Sequence, residues 1–202
     1  MKVKICGLTS PSEAVEVCNN RIDYIGMVLF FEKSKRNIDI SKAQEIMAVL
    51  PPDIRTVAVT VAPSVTQARE VCAAGFDIIQ VHGDLSHEVI NECTVDIWKA
   101  FNIKDMDSVS DYIDEPKIKG FVYDSAEPGS GKAYDYGLLS HVPRDKDKLF
   151  ILAGGLNSSN ISEAISRINP DVVDVSSGVE YSDRKGKNPK LVQEFVANCF
   201  RR

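Results

Sequence analysis

Several signatures are missing from this chain. Its five cysteines, Cys6, Cys18, Cys72, Cys93 and Cys199, are scattered from end to end and include no C-x-x-C pair. An odd, dispersed set fits neither a zinc site nor a disulfide framework, so no metal is expected and a reducing, cytoplasmic setting is. There is no basic block or basic–aromatic stripe, and the formal charge is −5, so nucleic acid is not an expected partner. No apolar run approaches the roughly 18 residues needed to cross a bilayer, which argues against a membrane role. The opening MKVKICGLTS reads as a strand from residue 3 onward rather than as a signal peptide.

Nucleotide-binding motifs are missing too, although one stretch imitates them. In FVYDSAEPGSGKAYDY (121–136) an apolar run ends in an acid and is followed by Gly129-Ser130-Gly131-Lys132. A P-loop reads G-x-x-x-x-G-K-[ST]; here Ala126 stands at its first glycine and Ala133 where the magnesium-binding hydroxyl belongs. The dinucleotide pattern G-x-G-x-x-G fails as well, with Tyr134 at its third glycine. These glycines fit better a segment that closes over a substrate beside Asp124.

What is present is alternation. Hydrophobic residues make up 44% of the 202 and charged ones 26%, ordinary for a globular chain with a core of normal size. Strand-like runs rich in Val and Ile fall at 3–8, 24–30, 55–61, 77–83, 96–103, 120–125, 149–156 and 172–179. Most are apolar on both faces, as buried parallel strands are. Helix-like stretches fill the gaps at 10–20, 39–51, 64–75, 86–93, 106–113, 134–142, 158–168 and 189–200. The first has Ser10 as N-cap, Pro11 at the first helical position and Glu13 three residues after the cap. Gly75 ends the third as a left-handed C′ residue. Eight βα units with no linker or break in composition predict a single-domain (β/α)8 TIM barrel over residues 1–202. The competing open, doubly wound sheet would carry a Gly-rich fingerprint after its first strand, and this chain has Cys6-Gly7-Leu8-Thr9 there.

In such a barrel the C-terminal ends of the strands converge on one mouth. Those positions are Cys6, Arg36 just past the second strand, Gln80 and His82, Asp124, Gly154 and Gly155, then Ser176, Ser177 and Gly178. A thiol, an acid and a guanidinium therefore share the mouth with two Gly/Ser turns. The turns after strands seven and eight suit phosphate, since glycine leaves backbone N–H groups uncovered. Each residue has a plainer alternative. Cys6 alone also reads as a small core residue, Asp124 as a turn cap, Arg36 as a solvated charge and His82 as a hydrogen-bonded structural histidine. Lys99, between Trp98 and Ala100, is expected to point into the barrel, where it would need a partner.

Taken together, KICGLT (4–9), SKR (34–36), IQVHG (79–83), YDS with GSG (123–131), LAGGL (152–156) and VDVSSGVE (173–180) resemble the phosphoribosylanthranilate isomerase family of tryptophan biosynthesis over essentially the whole chain. The resemblance implies a cofactor-free Amadori rearrangement of a phosphosugar–anthranilate substrate. Asp124 would be the general acid that protonates the furanose oxygen, and Cys6 the general base that takes the C2′ proton. Arg36 would hold the anthranilate carboxylate, while Gly154–Gly155 and Ser176–Gly178 would hold the phosphate. His82, Asp174 and Ser177 belong to the matching motifs and join the substrate-binding set.

One acid and one base, each typically worth 10²–10⁴-fold, suffice for such chemistry without metal or redox cofactor. A free thiol has a pKa of roughly 8.5, so Cys6 needs its thiolate stabilised, for which helix N-termini at the mouth are the expected source. Asp124 must instead stay protonated, which partial burial against the aromatic ring would favour. Two departures stand out. Lys35 occupies the place where the family commonly has proline, which leaves Arg36 less firmly placed, and Ser130 replaces a threonine. The alternatives are a related sugar-phosphate isomerase, which resembles a two-carboxylate design with Asp where Cys6 stands, and a non-catalytic phosphosugar-binding barrel.

Overall fold

In the computed structural model, which describes residues 1–124, 139, 142 and 144–201, eight parallel strands close on themselves. They are β1 (Lys2–Cys6), β2 (Tyr24–Leu29), β3 (Arg55–Val61), β4 (Ile78–His82), β5 (Asp96–Asn102), β6 (Ile118–Asp124), β7 (Leu149–Leu152) and β8 (Val172–Val175). Each pairs with the next, and β1 pairs with both β2 and β8, so the sheet is a closed barrel. The helices are α1 (Pro11–Cys18), α2 (Ile40–Met47), α3 (Val65–Ala74), α4 (His87–Glu92), α5 (Ile161–Ile168) and α6 (Pro189–Cys199). The predicted helix at 134–142 lies, apart from Leu139 and Val142, outside the described residues, as do Ser125 and the Gly129–Lys132 stretch. Among the described residues no helix is long and apolar enough to cross a membrane.

Alternation along the strands sorts side chains into two cores. Outward residues such as Ile5, Ile25, Met27, Ile79 and Phe101 pack beneath the helices. Inward ones, including Tyr24, Val57, Ile78, Trp98, Val122, Ile151 and Val172, fill the barrel. Size is balanced across this interior: Trp98 pairs in register with Gly120, whose absent Cβ would sit 3.0 Å from the indole, and Tyr24 meets Trp98 edge-on at 4.9 Å. Lys99, alternating with inward Trp98 and Ala100, does not enter the barrel. Its ammonium donates to the Ala100 carbonyl at 2.8 Å and lies 4.5 Å from the centre of the Phe101 ring, in the outer layer.

The N-terminal rim is stapled by a repeated device. Asp23, Asp77 and Asp171 each stand one residue before an even-numbered strand, and each accepts the N–H at the start of the strand before it. The donors are Val3 at 2.9 Å, Thr56 at 2.7 Å and Phe150 at 2.8 Å. At the fourth such place Lys117 precedes β6 instead, and its ammonium reaches the carbonyls of Ile90, Asn91 and Cys93 around the end of α4.

Three local expectations are corrected. The run 149–156 is extended only to Leu152, because Gly154 and Gly155 turn the chain with φ of +87° and +62°. The run 172–179 ends as a strand at Val175, and Ser177–Val179 is a short 3₁₀ turn. The helix expected at 106–113 is a 3₁₀ segment over Ile103–Tyr112, rich in Asp and Ser that compete for backbone groups; the Ser110 hydroxyl donates to the Asp107 carbonyl. Ser10 does cap α1, but Glu13 reaches past it, accepting from Thr9 N–H at 2.7 Å and Lys187 N–H at 2.6 Å. Gly75 has φ +92°, as expected of a left-handed cap.

Candidate active site

At the C-terminal mouth a cavity of about 170 Å³ is lined by Cys6, Arg36, His82, Asp124, Gly154, Gly155, Asp174, Ser176 and Ser177, together with Gln80 and three apolar neighbours, Val59, Ala153 and Leu156. Every predicted site residue except Gly178 thus opens onto one space. Gly178 stands behind it: a Cβ there would come within 2.0 Å of the Leu156 carbonyl oxygen, so the turns after β7 and β8 touch only because this position has no side chain. A roomier cavity of about 390 Å³ lies on the outer face of β6 and β7, lined by Arg144–Phe150 with Phe121, Tyr123 and Asp171. Its acids, Asp145, Asp147 and Asp171, stand among Arg144, Lys146 and Lys148, and its lining has neither the thiol nor the Gly/Ser turns of the mouth.

Cys6 ends β1 with its side chain almost covered. Burial pushes its thiol above the ordinary range; Lys4 pulls against this, Asp174 reinforces it, and Lys187 opposes it more weakly. The groups that favour the thiolate are two lysine side chains, Lys4 and Lys187. Lys4 is wholly buried, and its ammonium donates to Asp174 Oδ2 at 2.6 Å. Asp174 Oδ1 is buried without a hydrogen-bond partner among the described residues, which leaves one carboxylate oxygen for a ligand.

His82 sits at the end of β4, its Nε2 2.9 Å from Gln80 Nε2. Burial, Lys4 and Lys99 lower its pKa to about 4, so the ring is neutral near pH 7 and offers hydrogen bonds rather than charge. Asp124 closes β6, in register with Asn102, on the same cavity.

Arg36 is held firmly despite the absent proline. Its Nε and Nη2 donate to the two oxygens of Glu180 at 2.5 and 3.0 Å, a fork-on-fork pair. Gly7, with φ +83°, is the reason the stem fits, because a Cβ there would lie 2.4 Å from Arg36 Cδ. Behind Glu180, the buried Lys187 ammonium touches Glu180 Oε1 at 3.0 Å, the Ser176 carbonyl at 3.1 Å and the Ser176 hydroxyl at 3.2 Å. The Ser176 hydroxyl also donates to the Cys6 carbonyl at 3.0 Å, so the last turn is tied to the first strand.

Sequence reasoning did not single out Lys4, Lys187 or Glu180. For Lys4 a signal existed, since it alternates in phase with Cys6. Lys187 lies in the polar run DRKGKNP, where nothing marks burial.

With this geometry in view, comparison with known proteins is decisive. The family model described as N-(5′-phosphoribosyl)anthranilate (PRA) isomerase matches residues 3–198. The chain belongs to the phosphoribosylanthranilate isomerase family. It is an enzyme, an isomerase of tryptophan biosynthesis. N-(5′-phosphoribosyl)anthranilate isomerase of Streptococcus gordonii is 34% identical over 203 residues, covering 96% of this chain and 95% of its own length. The crystal structure of phosphoribosyl anthranilate isomerase from Thermotoga maritima superposes with a TM-score of 0.86 at 30% identity, covering 98% of both chains. Another phosphoribosyl anthranilate isomerase structure, a complex with reduced 1-(o-carboxyphenylamino)-1-deoxyribulose 5-phosphate, gives 0.83 at 28% identity with the same coverage. The TIM-barrel fold of the isomerase agrees with these structures.

Proposed function

We propose that this isomerase converts N-(5′-phosphoribosyl)anthranilate to 1-(2-carboxyphenylamino)-1-deoxyribulose 5-phosphate by an Amadori rearrangement, with Asp124 as general acid and Cys6 as general base. The observation that carries the reading is the single cavity on which thiol, acid, guanidinium and both Gly/Ser turns open. Asp124 gives its proton to the furanose oxygen as the C1′–oxygen bond breaks, and the nitrogen lone pair forms the iminium. Cys6 thiolate removes the proton from C2′, leaving an enolamine. Tautomerisation protonates C1′ and delivers the ketose, with no net change in atoms. Arg36 takes the anthranilate carboxylate with the guanidinium edge that Glu180 leaves over. The Gly154–Gly155 and Ser176–Gly178 turns take the phosphate through backbone N–H groups and hydroxyls. Neutral His82 and the open oxygen of Asp174 orient the sugar hydroxyls.

The test follows loss of the fluorescence of freshly prepared phosphoribosylanthranilate. Wild type should turn over rapidly, and both Cys6→Ser and Asp124→Asn should lose at least 10²-fold in kcat, the lower end of what one acid or base supplies. Undiminished turnover in either folded variant would remove that residue from its role.

A further inference from the structure

Below the mouth lies a lysine that the steps above leave unused. Lys4 is fully buried, and removing an ammonium from water is costly unless a partner compensates. Asp174 compensates at 2.6 Å, yet a pair of apolar residues could fill the same space without that cost. The position explains more than the pairing does. Lys4 and Cys6 are two apart on β1 and project to the same face. A Cβ on Gly26 would lie 2.8 Å from Cys6 Sγ and 3.1 Å from Lys4 Cε, so thiol and lysine stem pack against one bare patch of β2 backbone. Gly26 is what lets both enter.

We infer that Lys4 is a positioning residue for the reaction: its ammonium, shared between Asp174 and the Cys6 sulfur, is the counter-charge that lets so buried a thiol serve as thiolate. The inference rests on the reading of Cys6 as the base. Supporting it, Lys4 acts on the thiol more strongly than Asp174 does, so the pair as a whole favours the thiolate although its net charge is zero. Asp174 and Cys6 together outweigh burial at Lys4 and hold its ammonium above the ordinary lysine range. The other charged or titratable groups around this space are Lys187 from the loop after β8, Arg36 from beyond β2, His82 from β4 and Asp124 from β6.

Thiol reactivity tests this without relying on turnover. The full chain is alkylated with iodoacetamide across a range of pH, and modification at Cys6 is followed by peptide mass spectrometry. At pH 8 we expect Lys4→Met to slow Cys6 alkylation at least tenfold, and the acidic limb of the kcat/KM profile to move to higher pH with it. Asp174→Asn should do the reverse and speed alkylation several-fold, because Lys4 then turns wholly to the sulfur. Lys4→Arg should keep the rate within about threefold of wild type. A purely structural ion pair would lower stability and leave these rates alone; unchanged Cys6 alkylation in folded Lys4→Met and Asp174→Asn proteins overturns the inference. If Lys4→Met does not fold, the opposite-signed Asp174→Asn effect and the arginine variant decide. Should Cys6→Ser retain full turnover, the catalytic reading of Cys6 fails by itself, and the alkylation rates still report whether Lys4 governs the thiol.

Discussion

Glu180 shows how much a single side chain can organise at this mouth. Arg36 takes both its oxygens, Lys35 meets Oε2 at 2.9 Å and Lys187 meets Oε1 at 3.0 Å. Burial pushes the carboxyl up, but Arg36, Lys187 and Lys35 outweigh it and hold the pKa at about 2. Lys35, which stands where the family resemblance expects proline, thus replaces a stiff backbone with a charge on the same anchor. That exposed pair is individually worth little. The Arg36 fork is different, since holding a guanidinium in one orientation saves up to about 2 kcal/mol of rotamer entropy when a ligand binds. Glu180→Gln keeps the shape and loses the charge. It should raise KM about tenfold with kcat changed far less, the pattern of lost uniform binding. Steady-state kinetics will show it, and a fall in KM would mean instead that Glu180 competes with the substrate for Arg36.

At the scale of elements the barrel is assembled from pairs of strands. The aspartates before β2, β4 and β8 close β1–α1–β2, β3–α3–β4 and β7–α5–β8 at their N-terminal ends. Asp77 does so twice, accepting from Thr56 N–H at 2.7 Å and from its hydroxyl at 2.8 Å. Asp77→Ala strips both donors of a charged acceptor and should cost about 1–2 kcal/mol, because Asp77 is itself exposed and water replaces part of the loss. The staple lies at the opposite end from the cavity, so kcat/KM should stay within about twofold of wild type. Urea unfolding and a parallel activity assay separate the two effects. A variant as stable as wild type would make the staple ornamental.

For the whole molecule, the barrel was legible because eight buried parallel strands must be written as eight Val/Ile-rich runs, and the mouth because strand ends converge whatever the helices do. The seventh strand ended early where glycine overrode the apolar pattern, at Gly154–Gly155, and the expected helix became 3₁₀ where Asp and Ser did, along Ile103–Tyr112. The ion pairs around the mouth were not legible because their partners meet only in the tertiary fold. Glu180 finds Arg36 across 144 positions of chain and Lys4 finds Asp174 across 170. Those placements also set how the fold responds to acid. His82 binds its proton only near pH 4 when folded, against about 6.5 when unfolded. Between these values the unfolded state holds more protons, so stability is fully present above about pH 6.5 and drains as pH falls toward 4. Glu180 acts in the same direction in a lower window, from its ordinary value of about 4.3 down to about 2. The histidine term is limited to about 1.4 kcal/mol per pH unit, and solvent reduces it because His82 is only partly covered. His82→Gln removes the titrating ring and keeps a polar group beside Gln80. Thermal unfolding followed between pH 6.5 and 4 should therefore show the wild-type melting temperature falling more steeply than that of His82→Gln, while below pH 4 the two curves run parallel as Glu180 takes over. Equal slopes across the upper window would mean that the folded barrel protonates His82 as readily as water does, and that the ring is not the neutral hydrogen-bonding group assigned to it at the mouth.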